Sequence, residues 1–174
     1  MTSPGSSIRL LIGLASDRPG AGKSTAADHL IKKHGFHSIS IGAVVKDELD
    51  KMLQVHGFSY KEELKEEFRP ALSWWTEFRL KHTSADYWLE QAIKQNPDQD
   101  SVLIPDVRYP NEAEYIKAHG GLVIKIDRPS VARSTLQSEV ALDNYEFDYI
   151  INNDQPDDGA SMFAALETIL QKRA

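Results

Sequence analysis

The sequence predicts an α/β fold, a mostly parallel sheet with helices covering both faces. Short apolar runs at 8–15, 101–104, 122–126 and 147–151 alternate with stretches of helical periodicity, a pattern that needs crossover connections and hence parallel strands. The first run passes through a loop bearing Gly20 and Gly22 straight into a helical stretch, Thr25-Ala26-Ala27-Asp28-His29-Leu30-Ile31. Sheets of this kind bind ligands at the carboxyl ends of their strands, so residues that follow strands are the candidates for chemistry.

Taken in order, the first strand is the apolar run Ile8-Arg9-Leu10-Leu11-Ile12-Gly13-Leu14-Ala15. A helix follows at about 23–34, and 36–41 forms a short second strand. Residues 42–56 carry helical spacing through Val44, Val45, Leu49, Met52 and Leu53. Ser59 with Glu62 three residues on predicts a capping box for a charged helix. That helix should stop before Pro70, which then opens the next one, to about Lys81. Ser84 is the expected cap of a helix at about 84–95. Beyond strand 101–104 come Pro105-Asp106, a helix from Asn111 to His119, and Gly120-Gly121 before strand 122–126. Residues 129–146 are polar and lack apolar periodicity, like a surface excursion. Strand 147–151 and a helix at about 158–173 close the chain. The helical insert at about 42–95 is too long for a plain crossover and should have a task of its own.

Composition bounds the function. With 174 residues the chain is long enough for one domain with a full core. Its 41% hydrophobic and 26% charged content is that of an ordinary globular protein, and no run reaches the roughly 18 apolar residues of a membrane span. Residues 1–7 lack the regions of a signal peptide and read as a flexible tail ahead of a domain at 8–174. There is no cysteine, which excludes disulfides and thiolate metal sites and is compatible with the cytosol. A net charge of −6, from 26 acidic and 20 basic residues, is the wrong balance for gripping a nucleic-acid backbone and favours a small ligand. The six histidines, at 29, 34, 37, 56, 82 and 119, show no metal-ligand spacing and read as surface residues. No Gly-x-Ser-x-Gly elbow is present.

The segment Asp17-Arg18-Pro19-Gly20-Ala21-Gly22-Lys23-Ser24-Thr25 carries the chemistry. Strand, glycine-bearing loop, Gly-Lys-Ser and helix describe a phosphate-binding P-loop. Gly20 and Gly22 let backbone N–H groups turn inward as an anion nest, and the N-terminus of the helix adds its positive dipole. Lys23 is placed to reach β- and γ-phosphates, and the Ser24 hydroxyl to ligate Mg²⁺. Asp17 stands where the usual pattern begins with glycine. Asp106, just after strand 101–104, is a candidate Mg²⁺ ligand or hydroxyl acceptor. Arg108, Arg128 and, within the excursion, Arg133 are candidates for phosphate contact and for offsetting charge on a transferred phosphoryl group. The insert holds a denser cluster, from Arg69 to Arg79, in which Trp75 and Arg79 are i and i+4, so that the guanidinium can pack on the indole. Leu72, Trp75 and Phe78 also fit the spacing of a core stripe.

In these stretches the sequence resembles the deoxynucleoside monophosphate kinases of bacteriophages, a branch of the P-loop NMP kinases. The marks are Gly22-Lys23-Ser24-Thr25, Arg69-Pro70-Ala71-Leu72-Ser73-Trp74-Trp75-Thr76-Glu77-Phe78-Arg79, Asp106-Val107-Arg108-Tyr109-Pro110-Asn111-Glu112-Ala113, and Gly120-Gly121 before the strand ending in Asp127-Arg128. The resemblance implies a P-loop NTPase three-layer sandwich with a helical NMP-binding insert (about 42–95) and a short lid (about 129–146). It implies Mg²⁺-dependent transfer of the ATP γ-phosphoryl group to a deoxynucleoside 5′-monophosphate. Gly20, Ala21, Gly22, Lys23, Ser24 and Thr25 would hold ATP, with Asn152 and Asn153 near the adenine, and Ser24 and Asp106 would serve the metal. Arg69 and Arg79 would bind the acceptor's phosphate, with Trp74, Trp75 and Glu77 near its base or sugar. Lys23, Asp106, Arg108, Arg128 and Arg133 would be the catalytic and lid groups, and Gln137-Ser138-Glu139 stands where relatives often have a histidine before Ser-Glu. The expected partners are small nucleotides, without membrane or nucleic acid; a homodimer is compatible, as is the cytoplasm of the host for a phage-encoded chain. Two rivals keep the ATP site: a kinase for another phosphorylated metabolite or a modified base in DNA, and a nucleotide-binding switch without phosphotransfer.

Overall fold

The computed structural model describes residues 9–135 and 141–173; Ile8, the tail at 1–7 and Gln137-Ser138-Glu139 lie outside them. Five strands form one parallel sheet: β1 (Leu10–Ala15), β2 (His37–Ser38), β3 (Ser101–Ile104), β4 (Leu122–Asp127) and β5 (Tyr149–Asn152). Their order across the sheet is β2-β3-β1-β4-β5. The central β1 pairs with β3 through Gly13↔Ile104 and with β4 through Ala15↔Lys125.

Two compact units make up the chain, 1–39 with 98–174, and 40–97. In the first, alternation along β1 sorts the layers. Ile12 and Leu14 point into one core with Ala26, Ala27 and Leu30 of α1 (Lys23–His34) and Met162, Leu166 and Ile169 of α6 (Ala160–Gln171). Gly13 points to the opposite face, where a Cβ would lie 2.6 Å from Ile116 Cδ1 and 2.7 Å from Val107 Cγ2. That near-contact is how α5 (Pro110–Ala118) packs over the sheet. Fully buried Ile12, Leu14, Leu103, Ile124 and Ile126 each contribute about 1.5–3 kcal/mol of burial. α1 and α6 are also tied by polar contacts: Glu167 Oε1 takes His29 Nε2 and His34 Nε2, each at 2.8 Å, and Lys33 Nζ at 3.0 Å. Hydrogen bonds from His34, Lys33 and His29 hold the Glu167 carboxyl down at about 2.

The second unit is helical: α2 (Ile41–Gln54), a 3-10 turn at Glu62–Leu64, α3 (Lys65–His82) and α4 (Tyr87–Lys94). Val44, Val45, Leu49, Trp75, Trp88, Leu89 and Ala92 are buried. Ser40 caps α2, its side chain accepting from Ala43 N.

Several sequence expectations are corrected. The 36–41 strand is two residues long, because Ser40 already caps α2. Ser59 caps no helix; the 3-10 turn follows Lys61 and leads into α3 at Lys65. α3 runs through Pro70 instead of breaking there. Proline removes only the bond to the Glu66 carbonyl, and the aromatic contacts on either side, Tyr60 with Phe68 and Trp75 with Phe78, keep both turns in place. α4 starts after Asp86 rather than Ser84, and the last strand starts at Tyr149 because the Asp148 carboxylate is used to accept from Val123 N.

Candidate active site

β1 ends at Ala15 and α1 begins at Lys23, so the intervening loop lies at the carboxyl edge of the sheet. Gly20 and Gly22 take φ of +75° and +109°, the region only glycine enters without strain. At Gly22 a Cβ would also meet Asn153 Nδ2 at 2.4 Å. The Asn153 amide donates to the Ala21 carbonyl at 2.8 Å. Asn153 therefore braces the phosphate loop from the end of β5, and Asn152 Oδ1 accepts from Asp154 N at 2.9 Å. This is where the structure places the two asparagines assigned to adenine.

The loop walls a cleft of about 510 Å³, whose far side is Pro105, Asp106 and Arg108. The pairing of Gly13 with Ile104 brings the residues after β3 alongside the loop, and the Val107 N–H locks them there by donating to the Leu14 carbonyl at 2.9 Å. Lys23 Nζ lies 2.5 Å from Asp106 Oδ1, and Arg108 Nε lies 2.6 Å from Asp106 Oδ2. Burial pushes the Asp106 carboxyl up, but Lys23 and then Arg108 outweigh it and hold it below its ordinary value. Ser24 and Thr25 line the same cleft. Ser24 Oγ and the Asp106 carboxylate are hard oxygen donors in one cavity, a donor set that fits Mg²⁺.

Two contacts near this cleft are absent from the sequence reading. Asp17, buried at the first loop position, receives Arg133 Nε at 2.7 Å on Oδ2 and Lys125 Nζ at 3.2 Å on Oδ1. Burial raises its carboxyl, yet Lys125 and Arg133 bring it below the ordinary value. Arg18 donates to Asp127 Oδ1 at 3.0 Å and to the Val131 carbonyl. The loop is thus anchored to the segment after β4. Neither contact has a local signal, since the partners lie more than a hundred residues away. Glu112 is a third missed residue: it accepts the Arg108 N–H at 2.7 Å and the Tyr109 N–H at 3.1 Å on one oxygen, and burial raises its carboxyl despite those bonds. The only local hint is its place three residues after Tyr109 at the start of α5.

The remaining candidates are distributed as follows. Arg128 Nε is buried with no hydrogen-bond partner among the described residues. Arg133 reaches Asp143 besides Asp17. In the helical unit, Arg69 is exposed and paired with Glu66, Nε to Oε2 at 2.8 Å and Nη2 to Oε1 at 2.6 Å. Arg79 donates Nε to Glu48 Oε1 at 2.6 Å, joined by Nη2. Its guanidinium lies 4.9 Å from the Trp75 ring and 4.7 Å from that of Tyr87, whose hydroxyl donates to the other Glu48 oxygen at 2.9 Å. The stacking of Arg79 on Trp75 that the spacing predicts is present. Trp75 is buried, Trp74 is 58% exposed, and Glu77 is exposed. The histidine expectation is corrected: His29 and His34 share Glu167 rather than standing free at the surface.

No protein-family model matches the chain. It is 30% identical to the protein of Acanthamoeba polyphaga mimivirus named "Putative deoxynucleotide monophosphate kinase", over 84% of this chain and 89% of that one. Among solved structures it resembles dephospho-CoA kinase from Campylobacter jejuni, with TM-score 0.54 and 16% identity over 95% of this chain and 99% of that one. Shikimate kinase from Bacteroides thetaiotaomicron gives TM-score 0.54 and 16% identity over 93% and 98%. The solved structures share the fold, a parallel sheet flanked by helices. No helix among the described residues is long and apolar enough to cross a membrane. With its Gly22-Lys23-Ser24 loop at the edge of that sheet, the chain is a P-loop kinase and belongs to the deoxynucleotide monophosphate kinase family.

Proposed function

We propose that this kinase transfers the γ-phosphoryl group of ATP to a deoxynucleoside 5′-monophosphate, giving the diphosphate and ADP. The observation that carries the reading is the phosphate loop with Lys23 held against Asp106 and Arg108 in one cleft, and the mimivirus relative's name supports the acceptor class. Backbone N–H groups from Gly20 to Thr25 cradle the ATP phosphates. Lys23 exchanges its carboxylate partner for phosphate oxygens when nucleotide enters. Asp106, released from Lys23, would hold Mg²⁺ together with the Ser24 hydroxyl. Mg²⁺, when bound, supplies charge neutralisation at the phosphate oxygens. Arg108 stays within reach of the same cavity and offsets the charge that spreads over the transferred group, with Arg128 and Arg133 as further cationic groups on the segment after β4.

In the helical unit, Arg69 takes the acceptor's phosphate. Its bond to Glu66 is a surface pair of low worth, readily exchanged for an anion. Arg79 keeps its Nη1 donors for the same phosphate while Glu48, Trp75 and Tyr87 fix its plane. Trp74 and Glu77 offer an exposed ring and carboxylate to the base or sugar. No covalent enzyme intermediate is required; positioning and electrostatics suffice for in-line transfer.

A coupled assay of ADP release tests this, with Mg²⁺, ATP, and the four common deoxynucleoside monophosphates alongside their ribose counterparts. Turnover with at least one deoxynucleotide, well above hydrolysis of ATP alone, is expected. Slow ATP hydrolysis indifferent to every monophosphate, or activity only on polymeric DNA, overturns the reading.

A further inference from the structure

Apart from the cleft of Lys23 and Asp106, the C-terminal half of α1 carries a cluster with no part in phosphoryl transfer. His29 and His34 from α1 and Glu167 from α6 each present a ligand atom, all within 4.8 Å of one another. Both ring nitrogens lie 2.8 Å from the same carboxylate oxygen. We propose that these three side chains form a binding site for a first-row transition-metal dication, Zn²⁺ foremost, that clamps α1 to α6.

The donor set is that of a three-ligand zinc site with a water in the fourth position. A tetrahedral ion with bonds of about 2.1 Å needs ligand atoms about 3.4 Å apart, so the cluster closes on it with shifts on the order of 1 Å or less. Two imidazoles and a carboxylate favour zinc, copper, nickel and cobalt over Mg²⁺, which prefers all-oxygen sites. The three side chains are 14%, 26% and 25% exposed, open enough for an ion to enter and sheltered enough to hold one. His29 is pre-oriented, its ring stacked on Phe163 at 4.3 Å between centroids with 6° between planes. His34 is the last residue of α1, followed by Gly35 in the left-handed conformation that terminates the helix. The ion would therefore sit where the negative end of the helix dipole favours a cation. With Nε2 on the metal, each neutral imidazole keeps its proton on Nδ1.

Lys33 Nζ occupies a position 3.0 Å from Glu167 Oε1, where it competes with a metal for that oxygen. Removing this surface lysine should therefore improve binding.

The test uses untagged, nucleotide-free full chain, stripped of metal and titrated with Zn²⁺ against a chromophoric chelator and with Co²⁺ in visible absorption. One equivalent per chain is expected, with the d–d bands of four-coordinate cobalt. His34→Ala and Glu167→Gln should each weaken Zn²⁺ binding at least tenfold, Lys33→Ala should tighten it, and His56→Ala, an exposed histidine elsewhere, should leave it unchanged. Zn²⁺ should raise the Tm of the parent chain and leave that of His34→Ala where it was. His34 lies at a helix end, so that variant keeps its fold, and circular dichroism verifies this. Absence of stoichiometric uptake at micromolar Zn²⁺ overturns the site, as does binding that His34→Ala and Glu167→Gln leave intact. Because ATP and acceptor are absent, failure here does not bear on the proposed phosphotransfer.

Discussion

Arg133 Nε donates to Asp17 Oδ2 at 2.7 Å, joining the polar segment after β4 to the first position of the phosphate loop. A position that ordinarily holds glycine here holds a buried carboxylate with two cations on it, Arg133 and Lys125. The neighbouring Ser134 N–H donates to the Asp17 carbonyl at 2.9 Å, so both the backbone and the side chain of Asp17 hold this segment.

Asp17→Asn removes that charge and leaves Lys125 and Arg133 without their shared anion. Since Arg133 is half exposed and solvent compensates part of the loss, the expected cost at neutral pH is about 1–3 kcal/mol. The pH dependence has a fixed sign. The folded-state carboxyl lies below its ordinary value of 3.8, so its contribution is present above that pH and disappears as pH falls through the lower folded value. Urea denaturation carried from pH 7 to well below pH 3.8 should show the gap between parent and variant constant above that pH and narrowing beneath it; a gap that stays constant throughout would contradict the ion pair.

Lys23→Met should stay folded and lose phosphotransfer. Removing one electrostatic donor to a developing phosphoryl charge costs on the order of 10²–10³ in rate. Full activity in a variant with an unchanged circular dichroism spectrum would refute the role given to Lys23.

Gly22→Ala meets two obstacles, a φ of +109° and the Asn153 amide 2.4 Å from the new methyl group. The backbone conformation alone costs about 1–2 kcal/mol. Pairing it with Asn153→Ala removes the clash but not the strain, so ATP affinity should recover only in part. Recovery to the parent value would mean that the loop does not need the left-handed residue.

Arg69 and Arg79 should separate cleanly. Arg69→Ala loses only an exposed, solvent-screened pair and should leave Tm nearly unchanged while raising KM for the acceptor. Arg79→Ala leaves Glu48 and Tyr87 facing each other without the guanidinium and should lose about 1–3 kcal/mol of stability as well. Steady-state kinetics with acceptor varied, together with thermal unfolding, read both effects; equal Tm losses in the two variants would contradict the geometry.

What the chain discloses locally is recovered well. The apolar run Ser101–Ile104 is bounded by polar Asp100 and by Pro105, and the strand has those limits. The order of strands and helices, and the parallel sheet, follow from alternation of periodicities. Local rules fail where a distant partner decides. Pro70 is a different case: it reads as a helix start, yet α3 runs through it, with Phe68 before it packed on Tyr60 and Trp75 after it on Phe78. The pairs Asp17–Arg133 and His29–Glu167 join residues 116 and 138 apart, so nothing in the spacing of either partner announces them. Asn153 is a similar case. Its position after the last strand is legible, but its bond to the Ala21 carbonyl depends on the register of β4 against β5, with Asp127 opposite Asn152.

That bond has a consequence for biogenesis. The phosphate loop leaves the ribosome well ahead of its brace, which lies 132 residues downstream, and β1 cannot pair until β3 and β4 have emerged. Sheet pairing over such separations slows folding. A growing polypeptide therefore has no finished nucleotide cradle until Asn153 has emerged and found Ala21, and a fragment released before residue 153 would carry the motif without the means to hold its shape.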